Sequence, residues 1–528
     1  MNKRKDILTE IGSTPVWDVL IVGGGATGLG AALEAASRGY RTLLLEARDF
    51  AQATSSRSTK LVHGGVRYLQ QGNVKLVLEA LRERGRMLRN APHLAHRRAF
   101  IIPAYALWEF PFYGVGLTLY DVLAGKESLG RSRILSKAQV LKELPTVRQK
   151  GLQGGILYYD GQFDDARYAI TLMRTVFEQG GVALNYAPVT SLIKENGAVC
   201  GAIASDSETG TVFECRAKVV INATGIFSDD LRRMDAPASS KILSVSQGSH
   251  LVLPREFLPG NSALMVPRTS DGRVLFAIPW HNHVVVGTTD DPVPQAEYEP
   301  RAMASEQAFL IEHIERYLGR RPKSEEILSM WSGQRPLVKQ ADASSTAAIS
   351  RDHTVLMSPS KLVTVTGGKW TTYRKMGEDV INKAATLAQL PAVASKTAEL
   401  RLHGWAPEED SVTADGEWQR VYGSDMMEIA NLGRSNADSG KLLHARLPFE
   451  QAEVRWAARF EMARTVEDVL ARRTRALFLD AHASIDAAPV VSQILAAELG
   501  RDEAWRKDQV EKFVSIASGY DLLHSVTG

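Results

Sequence analysis

The chain has 528 residues, 44% of them hydrophobic, and carries 63 basic and 60 acidic side chains for a formal net charge of +3. That length and apolar content fit two or three packed domains rather than a disordered chain, and the balanced charge excludes a nucleic-acid binder driven by bulk electrostatics. Cys200 and Cys215 are its only cysteines, which excludes a cysteine-rich metal cluster and a secreted disulfide framework and points to a reducing compartment.

Met1 to Asp6 is positively charged but lacks the apolar core of a secretory signal, so a short solvated arm is expected. The apolar run Asp18-Val19-Leu20-Ile21-Val22 then enters Gly23-Gly24-Gly25-Ala26-Thr27-Gly28 and an alanine-rich helical pattern. In that order Gly23 permits a tight turn, Gly25 a close backbone approach to pyrophosphate, and Gly28 contact between helix and strand. Amides at the helix start face the phosphates. A second strand, Arg41 to Leu45, ends on Glu46, whose carboxylate can accept hydrogen bonds from an adenosine ribose. Together they describe a dinucleotide-binding βαβ unit.

Residues 99–120 are rich in apolar and aromatic groups, including Trp108, Phe110, Phe112, Tyr113 and Tyr120, but Glu109 divides them. Neither half approaches the roughly twenty apolar residues of a membrane span, which leaves a core segment or a peripheral membrane contact. A further βα region follows at 166–189, and Ala217 to Gly225 reads as a buried strand ending in a glycine turn. Short strand candidates at 251–253, 274–278 and 284–286 suggest a largely antiparallel substrate layer. Lys361 to Thr366 runs into Gly367-Gly368 as another strand and turn. The C-terminal part carries helix patterns at 423–432, 450–479 and 489–519, with its arginines expected in surface charge pairs.

Four stretches carry a resemblance to a known family: Ala53 to Leu69 (ATSSRSTKLVHGGVRYL), Lys241 to His250, Ser332 to Leu337 (SGQRPL) and Gly367 to Arg374 (GGKWTTYR). With the first strand and the C-terminal cap, the chain resembles the FAD-dependent, quinone-linked glycerol-3-phosphate dehydrogenases, more distantly related to glycine and D-amino-acid oxidases. The resemblance implies an α/β fold in which an FAD-binding Rossmann-like domain (15–95, 150–240 and 345–385) joins a mostly antiparallel substrate domain (96–149 and 241–344) and a C-terminal helical cap (400–528).

The resemblance implies that FAD is held by Gly23, Gly24, Gly25, Ala26, Thr27, Gly28 and Glu46 at its adenine half, and by Thr54, Ser55, Ser56, Ser58, Lys60, His63, Gly64, Gly65, Gly225, Gly368 and Lys369 toward the flavin. It further implies that Arg67, Tyr68, Arg335 and Lys369 bind sn-glycerol 3-phosphate. Guanidinium groups grip phosphate bidentately, Lys369 adds a mobile charge, and Tyr68 orients a hydroxyl. His250 would take the C2 hydroxyl proton while Arg335 stabilises the nascent alkoxide. Asp290 shapes the substrate layer or is a solvated hairpin carboxylate. No metal is expected. The implied electron acceptor is a membrane quinone, with the protein a homodimer held peripherally on the cytoplasmic side of the membrane against anionic phospholipid. An oxygen-using or amine-oxidising relative, or a non-enzymatic FAD-binding module, are the alternatives.

Overall fold

The computed structural model describes residues 4–65, 73–269, 272–339, 352–407, 418–435 and 439–522. An eight-stranded sheet follows the order 353–357, 363–367, 212–222, 17–22, 42–45, 182–184, with the 189–195/198–205 hairpin attached to the 212–222 strand. Its central pairings, Trp17–Val22 with Val212–Asn222 and Thr42–Leu45 and the latter with Val182–Leu184, are parallel. A parallel sheet covered on both faces needs continuous apolar strands, and Val19, Leu20, Ile21, Leu43 and Leu44 are fully buried. The helices Ala26–Ser37 and Tyr373–Leu387 meet at two glycines: a Cβ on Gly377 would lie 2.7 Å from the Gly30 carbonyl. Only glycine allows that backbone approach.

A ten-stranded sheet carries the second domain, antiparallel except where Ala263–Val266 runs parallel to Ala95–Ala104. Leu61–Val62 and Gly154–Phe163 pair here rather than in the first sheet. The strand Gly154–Phe163 thus lies in the second sheet, inside the 150–240 stretch expected to belong to the nucleotide-binding domain, and the helix Asp165–Glu178 follows it. An apolar run states that a strand is buried but not which sheet receives it.

The N-terminal arm is corrected as well. Arg4–Ser13 is a helix that buries Ile7 and Ile11 and ties Arg4 to Asp206. The single helix expected at 450–479 divides into Gln451–Phe460, a wide π-type turn at Asp468–Arg473 and Ala476–Leu479. Met462 and Arg475 adopt positive φ of 56° and 69° at these breaks. Further on, Ala481–Leu499 and Glu503–Ala517 are separated by Gly500 at φ 65°.

The arginines of this cap are not all surface groups. Arg472, Arg473 and Arg475 are each 1% exposed. Arg472 and Arg473 share Asp49, Arg472 also holds Glu467 and Asp468, and Arg475 reaches Asp164 and Asp165. Charges this deep are retained only with counter-charges and hydrogen bonds. The arginine run is thus a clamp between the cap and the nucleotide-binding domain.

Candidate active site

The nucleotide turn opens at the C-terminal edge of the parallel sheet. Gly23 (φ 111°) donates its amide to the Leu45 carbonyl at 2.8 Å, and a Cβ there would fall 2.6 Å from the Ala223 carbonyl oxygen. A Cβ on Gly28 would lie 1.8 Å from the Gly23 carbonyl oxygen. Both glycines are demanded by packing. Gly25 is the helix N-cap, with no side chain of its own to satisfy the first amides, and both Gly25 and Thr27 are partly exposed. Apart from the Ala26 amide, which Ser55 Oγ accepts, this backbone-lined helix start fits the pyrophosphate of a dinucleotide. Gly24 and Arg48 donate their amides to Glu46 at 2.6 and 2.8 Å, so this carboxylate braces the turn with lone pairs left over. Gly225 (φ 59°) stands in open space just beyond Ala223.

One short loop, 54–60, touches every other part of the site. Ser55 Oγ accepts from the Ala26 amide at 2.9 Å, and its carbonyl accepts from Trp370 Nε1 at 2.8 Å. Thr54 Oγ1 donates to the Gln334 carbonyl at 2.7 Å, beside Arg335, and Thr59 Oγ1 lies 2.9 Å from His250 Nε2. The same loop corrects two expectations. The Ser58 amide and hydroxyl donate to Asp165, and the Lys60 ammonium donates to Asp165 at 2.8 Å and to the Ser56 carbonyl at 2.9 Å. Ser58 and Lys60 thus anchor the loop from beneath, because a fully buried ammonium requires a carboxylate. Burial, opposed by Asp165 and reinforced by Arg475, brings Lys60 down to about 7.

The paired strands Leu243–Pro254 and Ser329–Val338 place Ser246 opposite Arg335, Gly248 opposite Gly333 and His250 opposite Trp331. Direct cross-strand partners at period two share one face. The two glycines leave a gap in that face. Arg335 lies across Gly248, where a Cβ would be 2.3 Å from Nη2, and Arg57 backbone enters above Gly333, where a Cβ would be 2.7 Å from its carbonyl oxygen. Arg335 donates to Asp290 at 3.0 Å, to Thr288 Oγ1 and to the Thr289 carbonyl at 3.2 Å each, and its side chain keeps 23% exposure. Asp290, also bonded by the Ser246 hydroxyl, is accordingly a brace for Arg335 rather than a solvated hairpin carboxylate.

His250 stacks on Trp331 with ring centroids 4.1 Å apart and is 2% exposed. Burial first, then the charges of Lys60 and Arg335, hold its pKa well below the ordinary imidazole range. The turn Gly367-Gly368 carries both residues at positive φ, 78° and 75°, and delivers a partly exposed Lys369 next to Trp370. Gly64 donates its amide to Tyr120 Oη at 2.8 Å, and Gly65 (φ 78°) completes the turn after the partly exposed His63. Arg67 and Tyr68 lie outside the described residues. The structure therefore gathers His250, Arg335, Thr54, Ser55, Lys369 and the nucleotide turn around one loop. Sequence reasoning passed over Thr59, Trp331 and Asp165. Thr59 sat inside a quoted motif, whereas nothing local marks Asp165 as the counter-charge for Lys60.

Residues 18–374 match the family described as FAD dependent oxidoreductase, and residues 374–506 match the C-terminal domain of alpha-glycerophosphate oxidase. The chain is 39% identical over 553 residues to the mitochondrial glycerol-3-phosphate dehydrogenase of Macaca fascicularis, covering 98% of this chain and 76% of that protein. It is 38% identical over 551 residues to the Homo sapiens protein of the same description, with the same coverage. Among solved structures, the glycerol-3-phosphate dehydrogenase of Bacillus halodurans complexed with FAD superposes with a TM-score of 0.80 at 29% identity, covering 98% of this chain and 97% of that one. The L-alpha-glycerophosphate oxidase of Mycoplasma pneumoniae, at 18% identity and a TM-score of 0.56, shares the fold. The nucleotide turn, the loop that joins it to the histidine and arginine face, and these full-length similarities lead to one assignment: the chain belongs to the FAD-dependent glycerol-3-phosphate dehydrogenase family.

Proposed function

We propose that the protein oxidises sn-glycerol 3-phosphate to dihydroxyacetone phosphate, with FAD accepting the C2 hydride and a membrane quinone receiving the electrons. The observation that carries this reading is the convergence of His250, Arg335 and the Lys369 turn on the 54–60 loop, which also contacts the nucleotide turn. Arg335 and Lys369 supply fixed positive charge for a phosphate or a developing alkoxide, with Arg67 and Tyr68 as further substrate groups. His250, kept neutral by its surroundings, is in the protonation state a base requires. Gly23 to Gly28, Glu46, Thr54, Ser55, Gly64, Gly65, Gly225 and Gly368 would line the cofactor.

Anaerobic mixing of the FAD-loaded protein with glycerol 3-phosphate, glycerol and amino acids tests the substrate. Rapid flavin bleaching by glycerol 3-phosphate alone is expected; bleaching by an amine, or by none of them, overturns the reading. Reoxidation by a short-chain quinone, without prompt peroxide, is expected for the acceptor. Stoichiometric peroxide from oxygen would reassign the protein as an oxidase.

We place the protein peripherally on the cytoplasmic face of a membrane, and the helix Glu109–Ala124 supports the membrane contact. Trp108, Phe112, Val115, Leu119 and Val122, spaced by three and four residues, are 47–69% exposed, an apolar stripe on one helix face. Lys126, Arg131 and Arg133 follow it as exposed cations suited to anionic lipid. No helix among the described residues is long and apolar enough to cross a membrane.

A further inference from the structure

His250 cannot meet a substrate directly in this arrangement. Its ring is 2% exposed and lies flat against Trp331. Its Nδ1 is buried with no hydrogen-bond partner among the described residues, and its Nε2 is taken by the Thr59 hydroxyl at 2.9 Å. The Cδ2 and Nε2 edge also abuts Gly287, where even a Cβ would come within 2.2 Å. Thr59, by contrast, is partly exposed. Among the described residues, the polar atom bonded to the imidazole therefore belongs to a residue that is partly open to solvent.

We propose that Thr59 is a catalytic proton relay between the substrate's C2 hydroxyl and His250. This rests on the proposed oxidation of glycerol 3-phosphate. Thr59 Oγ takes the proton of the C2 hydroxyl as its own proton passes to His250 Nε2. The C2–O single bond becomes the carbonyl, and the C2 hydride leaves with its electron pair for FAD, the oxidant. Thr59 ends as it began, a neutral hydroxyl, and His250 ends as imidazolium. A hydroxyl can donate and accept at once, and exchange between two alcohols is nearly balanced in proton affinity, so the relay adds little to the barrier.

The surroundings hold Thr59 for this task. On one side the Ser58 amide and hydroxyl are fixed to Asp165, and on the other the Lys60 ammonium is fixed to Asp165 and the Ser56 carbonyl. A β-branched side chain on a backbone fixed at both neighbours has few rotamers left. The relay also specifies the imidazole tautomer: the hydrogen must reside on Nδ1, leaving Nε2 as the acceptor.

Nitrogen NMR of the FAD-loaded protein, with the His250 signals assigned by their loss in His250→Asn, reads that tautomer without turnover. An Nδ1–H imidazole with a hydrogen-bonded Nε2 is expected, the Nε2 signal shifting in Thr59→Val; an Nε2–H tautomer overturns the proposal. In anaerobic stopped flow at saturating glycerol 3-phosphate, Thr59→Val should slow flavin reduction about 100-fold with the oxidised-flavin spectrum retained, whereas Thr59→Ser stays within about 3-fold of wild type. Thr59→Val added to His250→Asn should slow it no further, since the two act in series. Wild-type reduction by Thr59→Val beside a slow His250→Asn removes the relay alone. Wild-type reduction by His250→Asn removes the base assignment and the relay with it.

Discussion

Gly287, Gly248 and Gly333 hold space for larger neighbours. A methyl at position 287 would sit 2.2 Å from His250 Cδ2, so Gly287→Ala must push the imidazole off Trp331. Misplacing a reacting group by about 1 Å costs roughly 100-fold; flavin reduction at saturating substrate should fall by that order while FAD is retained. A wild-type reduction rate would place the chemistry elsewhere. Arg335 is expected to matter in kcat/KM rather than in cofactor retention, since it contacts Asp290 and the 288–289 backbone region, away from the nucleotide turn. Arg335→Ala should lower kcat/KM for glycerol 3-phosphate about 100-fold or more, read from the concentration dependence of bleaching, and an unchanged value would reject the assignment. The pH dependence follows from the direction of the His250 shift. Burial, Lys60 and Arg335 lower its pKa, so the neutral base persists to more acid solution than a free imidazole would allow. The acid limb of kcat/KM should therefore lie below the ordinary value of about 6.5, and a limb at or above it would contradict the burial seen here.

Among the elements, the π-type turn and the arginines at its end do most to join the cap to the nucleotide-binding domain. Asp49 accepts from both Arg472 and Arg473, with the latter pair at 2.7 and 2.9 Å. Asp49→Asn removes the shared counter-charge from two buried guanidinium groups, a change that costs about 3–5 kcal/mol. Denaturant unfolding should register that loss, and proteolysis should find the cap first; equal stability of the variant would show the clamp to be dispensable. Burial opposes ionisation of Asp49, but the two arginines outweigh it and lower its pKa to about 2. Its contribution is then fully present above the ordinary aspartate value of about 3.9 and is lost as pH falls toward about 2. The arginines were legible in the sequence only as charges at helical spacing. Their partner stands more than 400 residues earlier, with Asp49 and Arg472 separated by 423 positions, and no local pattern announces such a pairing.

For the whole molecule, the apolar stripe on the 109–124 helix and the catalytic face belong to different parts of the surface chemistry, so they should separate experimentally. Replacing Trp108, Phe112 and Val115 together by serine should reduce co-flotation with anionic phospholipid vesicles while leaving anaerobic reduction by glycerol 3-phosphate unchanged. Undiminished flotation would move the membrane contact elsewhere. In sequence the 99–120 segment left core and membrane contact open; Phe100, Ile101 and Ile102 are buried in a strand, whereas the following helix exposes its apolar stripe, the surface proposed for the membrane.

Strand, turn, helix and second strand lie within about thirty consecutive residues and make local contacts, which is why the βαβ nucleotide unit, the reason for its glycines and the family resemblance were legible along the chain. The motif stretches likewise contain His250, Arg335 and Lys369 as candidates. That Gly154–Phe163 joins the second sheet, that Ser58 and Lys60 turn to Asp165, and that Thr59 meets His250 across 191 positions emerged from long-range packing. Those outcomes depend on which buried charge or edge finds which partner, a choice made by desolvation and packing over the assembled chain. Periodicity along the chain has no term for it.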